Sequence, residues 1–155
     1  MTPRPDRPPY RLHASLLYQL TLTSRLQERR FEDGLKALGL TRISWCVLLA
    51  VENEGLSQPS GIAEFIGIDR TAMSRALRQM EAAGLVERRR AAGTDRRHTA
   101  VGLTDAGREA LWRATPLAEE NAQHFLAKLP ADERDQLRRL LAVLREGEPR
   151  NLIKI

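Results

Sequence analysis

The chain has 155 residues, 42% hydrophobic and 29% charged, the balance of a chain that buries a core and not of a disordered segment. Its formal net charge is +5 and its pI about 10.1. A single cysteine, Cys46, excludes an internal disulfide framework and a multi-cysteine zinc site. No apolar run approaches membrane-spanning length and the first residues lack a signal-peptide core. The default expectation is therefore cytoplasmic residence with no membrane partner.

Residues 1–11, with Pro3, Pro5, Pro8 and Pro9, read as a flexible arm. A long helical pattern then runs from Leu12 to Leu38. Leu16, Leu20, Phe31, Leu35 and Leu38 share one stripe, broken at Ser24 and Gln27. Gly39 ends it, and Thr41 is placed to cap a second helix with Ile43, Trp45, Cys46, Val47, Leu48, Leu49 and Val51 as its apolar body, stopping near Gly55. Ser57 is expected to cap a short third helix, with Pro59 in its first turn and Gly67 at its end. Asp69 caps a fourth, whose inward face is Met73, Ala76, Leu77 and Met80 at spacings of three and four.

That spacing leaves Arg70, Thr71, Ser74, Arg75 and Arg78 on the free face. Arginines and small hydroxyls suit close approach to base edges and phosphates. The short Gly67-Ile68 link to the preceding helix is the tight turn of a helix-turn-helix. After Gly84 come two short strand patterns joined by an arginine-loaded loop, with Arg88, Arg89 and Arg90 on one side and Asp95, Arg96, Arg97 and His98 on the other. An Arg-rich ribbon tip suits a narrow minor groove. Asp69 to His98 holds eight arginines against four acids, while the remainder holds seventeen basic and sixteen acidic residues. Nearly all the excess positive charge therefore lies on this segment. Ser57, Gln58, Arg89 and His98 are candidate phosphate contacts.

Thr104 caps a fifth helix carrying Leu111, Trp112 and Leu117, with a bend expected at Pro116. Pro130 opens a sixth, with Asp132 and Glu133 placed for its dipole and Leu137, Leu140, Leu141 and Leu144 as its stripe. The fold class that follows is mainly α with a small β-wing. A winged helix-turn-helix over 39–104 is flanked by dimerisation helices over 12–38 and 105–155. The outer helices carry more apolar stripe than the winged part can cover. Leu16, Leu20, Leu137, Leu141 and Leu144 are expected to meet a second copy in a two-fold homodimer.

The chain resembles the MarR family of bacterial transcriptional regulators from Leu12 to about Leu144. The resemblance rests on Ile68-Asp69-Arg70-Thr71-Ala72-Met73-Ser74-Arg75, on Leu77 through Val86, on Asp95-Arg96-Arg97, and on Leu103-Thr104-Asp105-Ala106-Gly107. It implies a triangular dimer on a pseudo-palindromic double-stranded DNA site, with Arg97 in the minor groove and Asp95 steadying the tip. It also implies repression relieved by a small anionic or aromatic ligand, or by cysteine oxidation. His13, Tyr18, Arg25, Trp45 and Trp112 are the candidate effector pocket, although core packing explains the aromatics equally well.

Other readings have less to stand on. There is no nucleophile-elbow serine, phosphate-cradling glycine loop or His-Glu cluster, so an enzyme is not expected. His13, His98 and His124 are scattered, and no metal or cofactor is expected. Cys46 sits between Trp45 and Val47, as a packed thiol does, and not in the exposed setting of an oxidation sensor. A winged module for protein contact or non-specific DNA compaction remains the alternative, separable by sequence preference.

Overall fold

Three helices start at side-chain caps that the sequence marks. In the computed structural model, which describes residues 8–90 and 99–148, one 3-10 turn (Leu12–Ala14) precedes α1 (Leu16–Lys36). There follow α2 (Arg42–Glu52), α3 (Pro59–Ile66), α4 (Arg70–Ala82), β1 (Val86–Arg90), β2 (Thr99–Leu103), α5 (Asp105–Leu126) and α6 (Ala131–Val143). Thr41 and Ser44 form a reciprocal capping box at the start of α2. The Asp69 carboxylate accepts the Ala72 N–H at 2.7 Å, and the Thr104 hydroxyl accepts the Gly107 N–H at 3.0 Å. Each cap takes up a donor that the first helical turn leaves free.

Two boundaries differ from the sequence reading. The first helical pattern is split, because Ser15 is extended between the 3-10 turn and α1. Ser57 does not cap α3: Gln58 occupies that position without a side-chain bond, and Pro59 follows it. The cause is tertiary. The Ser57 carbonyl accepts the Val101 N–H at 2.8 Å, which ties this residue to the middle of β2. α5 continues through Pro116 as one helix.

The core gathers Phe31 and Leu35 of α1, Val47 and Leu48 of α2, Ile62 of α3, and Met73, Leu77 and Met80 of α4. Val86, Val101, Leu103 and Leu111 close it from the ribbon and α5. Each such side chain contributes about 1.5–3 kcal/mol of burial against the ordering entropy. β1 and β2 pair antiparallel, with Val86 opposite Leu103 and Arg88 opposite Val101. Because side chains alternate, Val86 and Arg88 share the face with Val101 and Leu103 that looks inward. The N-terminal half of α1 and all of α6 lie outside this core. Leu16 is 70% exposed and α6 has no buried residue.

Candidate nucleic-acid interface

The helix-turn-helix is assembled from backbone outward. Gly67 adopts φ +81°, a conformation costly for any residue with a Cβ, and this reverses the chain after α3. Ile68 fills the corner and is buried, so α4 leaves the turn at a set angle. Met73, Ala76, Leu77 and Met80 are all buried, as their spacing predicts. Arg70, Thr71, Ser74, Arg75 and Arg78 are all exposed. Arg70 and Arg75 form no ion pair among the described residues. Among the described residues Arg78 reaches back only to the Ser74 carbonyl, at 3.3 Å. Within those residues the three guanidinium groups have no acidic partner.

The ribbon stands beside α4. Its ends are drawn together by Thr104, whose hydroxyl donates to the Gly84 carbonyl at 2.6 Å. Gly107 makes room for this junction: a Cβ there would lie 2.0 Å from the Leu85 carbonyl oxygen. The Leu103-Thr104-Asp105-Ala106-Gly107 run is thus the joint at which wing and α5 meet.

The arginine run in β1 is not uniform. Arg89 points outward, is 75% exposed and pairs with Glu87. Arg88 faces inward and lies 3.2 Å from the Glu81 carboxylate on α4. Strand alternation separates the members of the run, and it turns outward Arg89, the one that the sequence singles out as a candidate phosphate contact. Ser57 and Gln58 are exposed at the start of α3, next to β2. Asp95, Arg96, Arg97 and His98 lie outside the described residues.

The candidate effector residues are not gathered in one place within the chain. His13 and Tyr18 stack edge-on at 5.3 Å near the start of α1. Trp45 stacks edge-on against Phe31 at 4.8 Å. Arg25 is exposed, and Trp112 is 72% exposed. A cleft of about 210 Å³ between α1 and α5 is lined instead by Arg30, Phe31, Gly34, Leu117, Glu120 and Asn121. Arg30 and Glu120 pair at 3.0 Å beside it. Asn121 is buried; its amide donates to the Gln27 carbonyl at 3.2 Å, and its Oδ1 has no partner among the described residues. The sequence does carry a signal for Asn121, a polar residue four positions after Leu117 and seven after Ala114, on the packed side of α5.

Burial pushes the Cys46 thiol above its ordinary value, and the nearby Arg42 charge offsets only part of that. The thiol is protonated at neutral pH, the form that does not react with oxidants. Among the described residues no cluster of three or more His, Cys, Asp or Glu side chains could hold a metal ion. None of the described helices is long and apolar enough to cross a membrane.

A family model described as the MarR family matches residues 38–98, the segment from just after α1 through β1, ending before β2. An uncharacterised HTH-type transcriptional regulator of Bacillus subtilis, YdgJ, is 35% identical over 134 residues, covering 86% of this chain and 79% of its own. The chain belongs to the MarR family. This MarR-family chain is also 32% identical over 150 residues to the transcriptional repressor MprA of Escherichia coli, covering 88% of this chain and 84% of MprA. Its fold matches that of Bordetella bronchiseptica BpsR with a TM-score of 0.82 at 22% identity, covering 91% of this chain and all of BpsR. BpsR is a protein whose DNA binding is regulated by 6-hydroxynicotinic acid. As a MarR-family member the chain is a DNA-binding transcriptional regulator, built as a winged helix-turn-helix.

Proposed function

We propose that this regulator is a homodimeric repressor that binds a pseudo-palindromic operator and is released from it by a small ligand. The observation that carries the DNA reading is the free face of α4. Three arginines and two hydroxyls are held outward by a fully buried opposite face, beside a ribbon with basic residues. Arg70, Thr71, Ser74, Arg75 and Arg78 enter the major groove, where arginine pairs bidentately with guanine. Asp95, Arg96 and Arg97 place the wing in the minor groove, and Ser57, Gln58, Arg89 and His98 meet phosphates.

Dimerisation follows from what one chain leaves uncovered. Leu16, Leu137, Leu140, Val143 and Leu144 are exposed, and no residue of α6 is fully buried within one chain. Leu20 and Leu141, both half-buried, continue the same surface. An isologous partner covers it and sets two reading heads about one DNA turn apart.

The ligand belongs to the α1–α5 cleft. Its Asn121 oxygen, without a partner among the described residues, calls for a donor, and Phe31 and Leu117 supply apolar wall. Trp45 reaches it through Phe31; His13, Tyr18, Arg25 and Trp112 are assigned to the rim of the same effector site in the dimer. The ligand class is small and aromatic or anionic, in keeping with the hydroxynicotinic acid that acts on BpsR. The protein acts in the cytoplasm, on the chromosome, as the repressor reading requires.

Selection from random duplex DNA near physiological salt tests the reading. An inverted repeat with half-sites about ten base pairs apart supports a dimeric, sequence-specific regulator. Tight low-salt binding with nothing enriched would make it a non-specific binder.

A further inference from the structure

We propose that Arg88 is a positioning residue that sets the wing against the reading helix, and is not itself a DNA contact. The inference rests on the DNA-binding reading and assigns a distinct role within its basic segment.

Arg88 stands opposite Val101 on the inward face of the ribbon, where its side chain is 27% exposed; Arg89, next to it, is 75% exposed. The inward face lies over the end of α4, and there Arg88 Nε comes within 3.2 Å of Glu81 Oε2. The two meet as charges rather than through an aligned hydrogen bond, and Nε and Nη2 are both shielded from solvent. The turn beneath them is tight: the Gly84 N–H donates to the Glu81 carbonyl at 3.0 Å and the Leu85 N–H to the Met80 carbonyl at 2.9 Å. The ion pair closes that turn from the side on which the wing could otherwise swing.

Glu81 also has an electrostatic reason to need a partner. Arg70, Ser74 and Glu81 follow one another at spacings of four and seven, so the carboxylate lies on the side of α4 that carries the reading residues. A bare acid there repels phosphate. Arg88 cancels it and, in doing so, is itself used up as a cation for DNA. The pair is shielded on the Arg88 side and half exposed on the Glu81 side, so its effect on wing placement is read only in variants whose fold is intact.

The consequence runs against simple charge counting. Removing an acid from a DNA-facing side should tighten binding to a polyanion. Here Glu81→Gln weakens binding, because the wing loses its anchor. The test uses the inverted-repeat duplex that wild-type protein selects, with folding confirmed by circular dichroism. Glu81→Gln is expected to lower affinity about tenfold, with hydroxyl-radical protection lost in the minor groove and guanine N7 protection kept in the major groove. The charge reversal Glu81→Arg with Arg88→Glu restores minor-groove protection. Unchanged or tighter binding by Glu81→Gln overturns the proposal. So does an Arg88→Gln variant that weakens both grooves alike and lowers the salt slope by about one, the mark of a phosphate contact. If Arg88→Gln does not fold, the exposed Glu81→Gln carries the test alone. If wild-type protein selects no sequence, the operator reading fails by itself. The same variants are then compared on a mixed-sequence duplex, where the sign of the Glu81→Gln effect still decides.

Discussion

The Thr104 hydroxyl donates to the Gly84 carbonyl at 2.6 Å, joining two residues 20 positions apart at the base of the wing. The same oxygen accepts the Gly107 N–H, so one hydroxyl both closes the ribbon and starts α5. Thr104→Val is expected to lower unfolding stability by about 1–2 kcal/mol, the upper range for loss of an N-cap. Thr104→Ser keeps both bonds and should unfold in urea close to wild type. A loss in Thr104→Ser with Thr104→Val left near wild type would show that the methyl group, not the hydroxyl, matters.

Gly107 and Gly61 should respond in opposite directions to the same change. A Cβ at Gly107 meets the Leu85 carbonyl oxygen at 2.0 Å, whereas one at Gly61 in α3 meets nothing within 4 Å. Gly107→Ala is expected to destabilise at the top of the ~1–3 kcal/mol range for overpacking. Gly61→Ala should stabilise by about 0.5–1 kcal/mol through helix propensity and a less flexible unfolded chain. Paired thermal melts measure both.

On DNA, Arg75 and Arg89 should fail differently. Arg75→Ala is expected to cost about 1–3 kcal/mol and to relax preference at one base position. Arg89→Ala should weaken binding across all sequences and lower the salt slope by less than a full charge, because Glu87 already shares that guanidinium. Binding titrations at several salt concentrations, on the selected duplex and a scrambled one, separate the two.

How much of this was legible beforehand varied with the range of the interaction. The caps at Thr41, Asp69 and Thr104 were readable because a cap and its N–H lie three residues apart. The buried face of α4 was readable because periodicity is local. Ser57 has the residue type of a cap but does not act as one, since its carbonyl is claimed by Val101, which no local pattern reveals. Gly107 could be recognised as part of a motif, but its reason, the Leu85 carbonyl, comes from the other end of the ribbon. Leu16 and Leu20 show the opposite limit. An apolar stripe announces that something covers it, without saying whether that is the same chain.

The question of what covers that stripe has its own measurement. Leu144→Glu places a carboxylate on the exposed stripe of α6 and is expected to give monomers with weak DNA binding. Sedimentation of the variant decides it; a tight dimer would move the interface elsewhere.

Cys46 supplies a pH signature. Its folded-state pKa lies above the ordinary 9.0, so the native state holds the thiol proton more tightly than the unfolded chain does. The stability from this difference is fully present below pH 9 and is lost as pH rises through the folded value. A Cys46→Ala variant should lack that alkaline loss. Thiol reagents should react slowly with native protein at neutral pH and quickly in urea.

The side chains that build α4 and those that face outward from it are separate sets. Asp69 caps, Ile68 fills the corner, and Met73, Ala76, Leu77 and Met80 pack inward. Arg70, Thr71, Ser74 and Arg75 make no packing contribution to the core cluster. On the proposed reading of α4, drift at those four positions rewrites which promoter is bound while the scaffold goes on folding unchanged. A duplicated copy of this gene could acquire a new target by point changes on one helix, with Glu81 and Arg88 left in place to hold the wing.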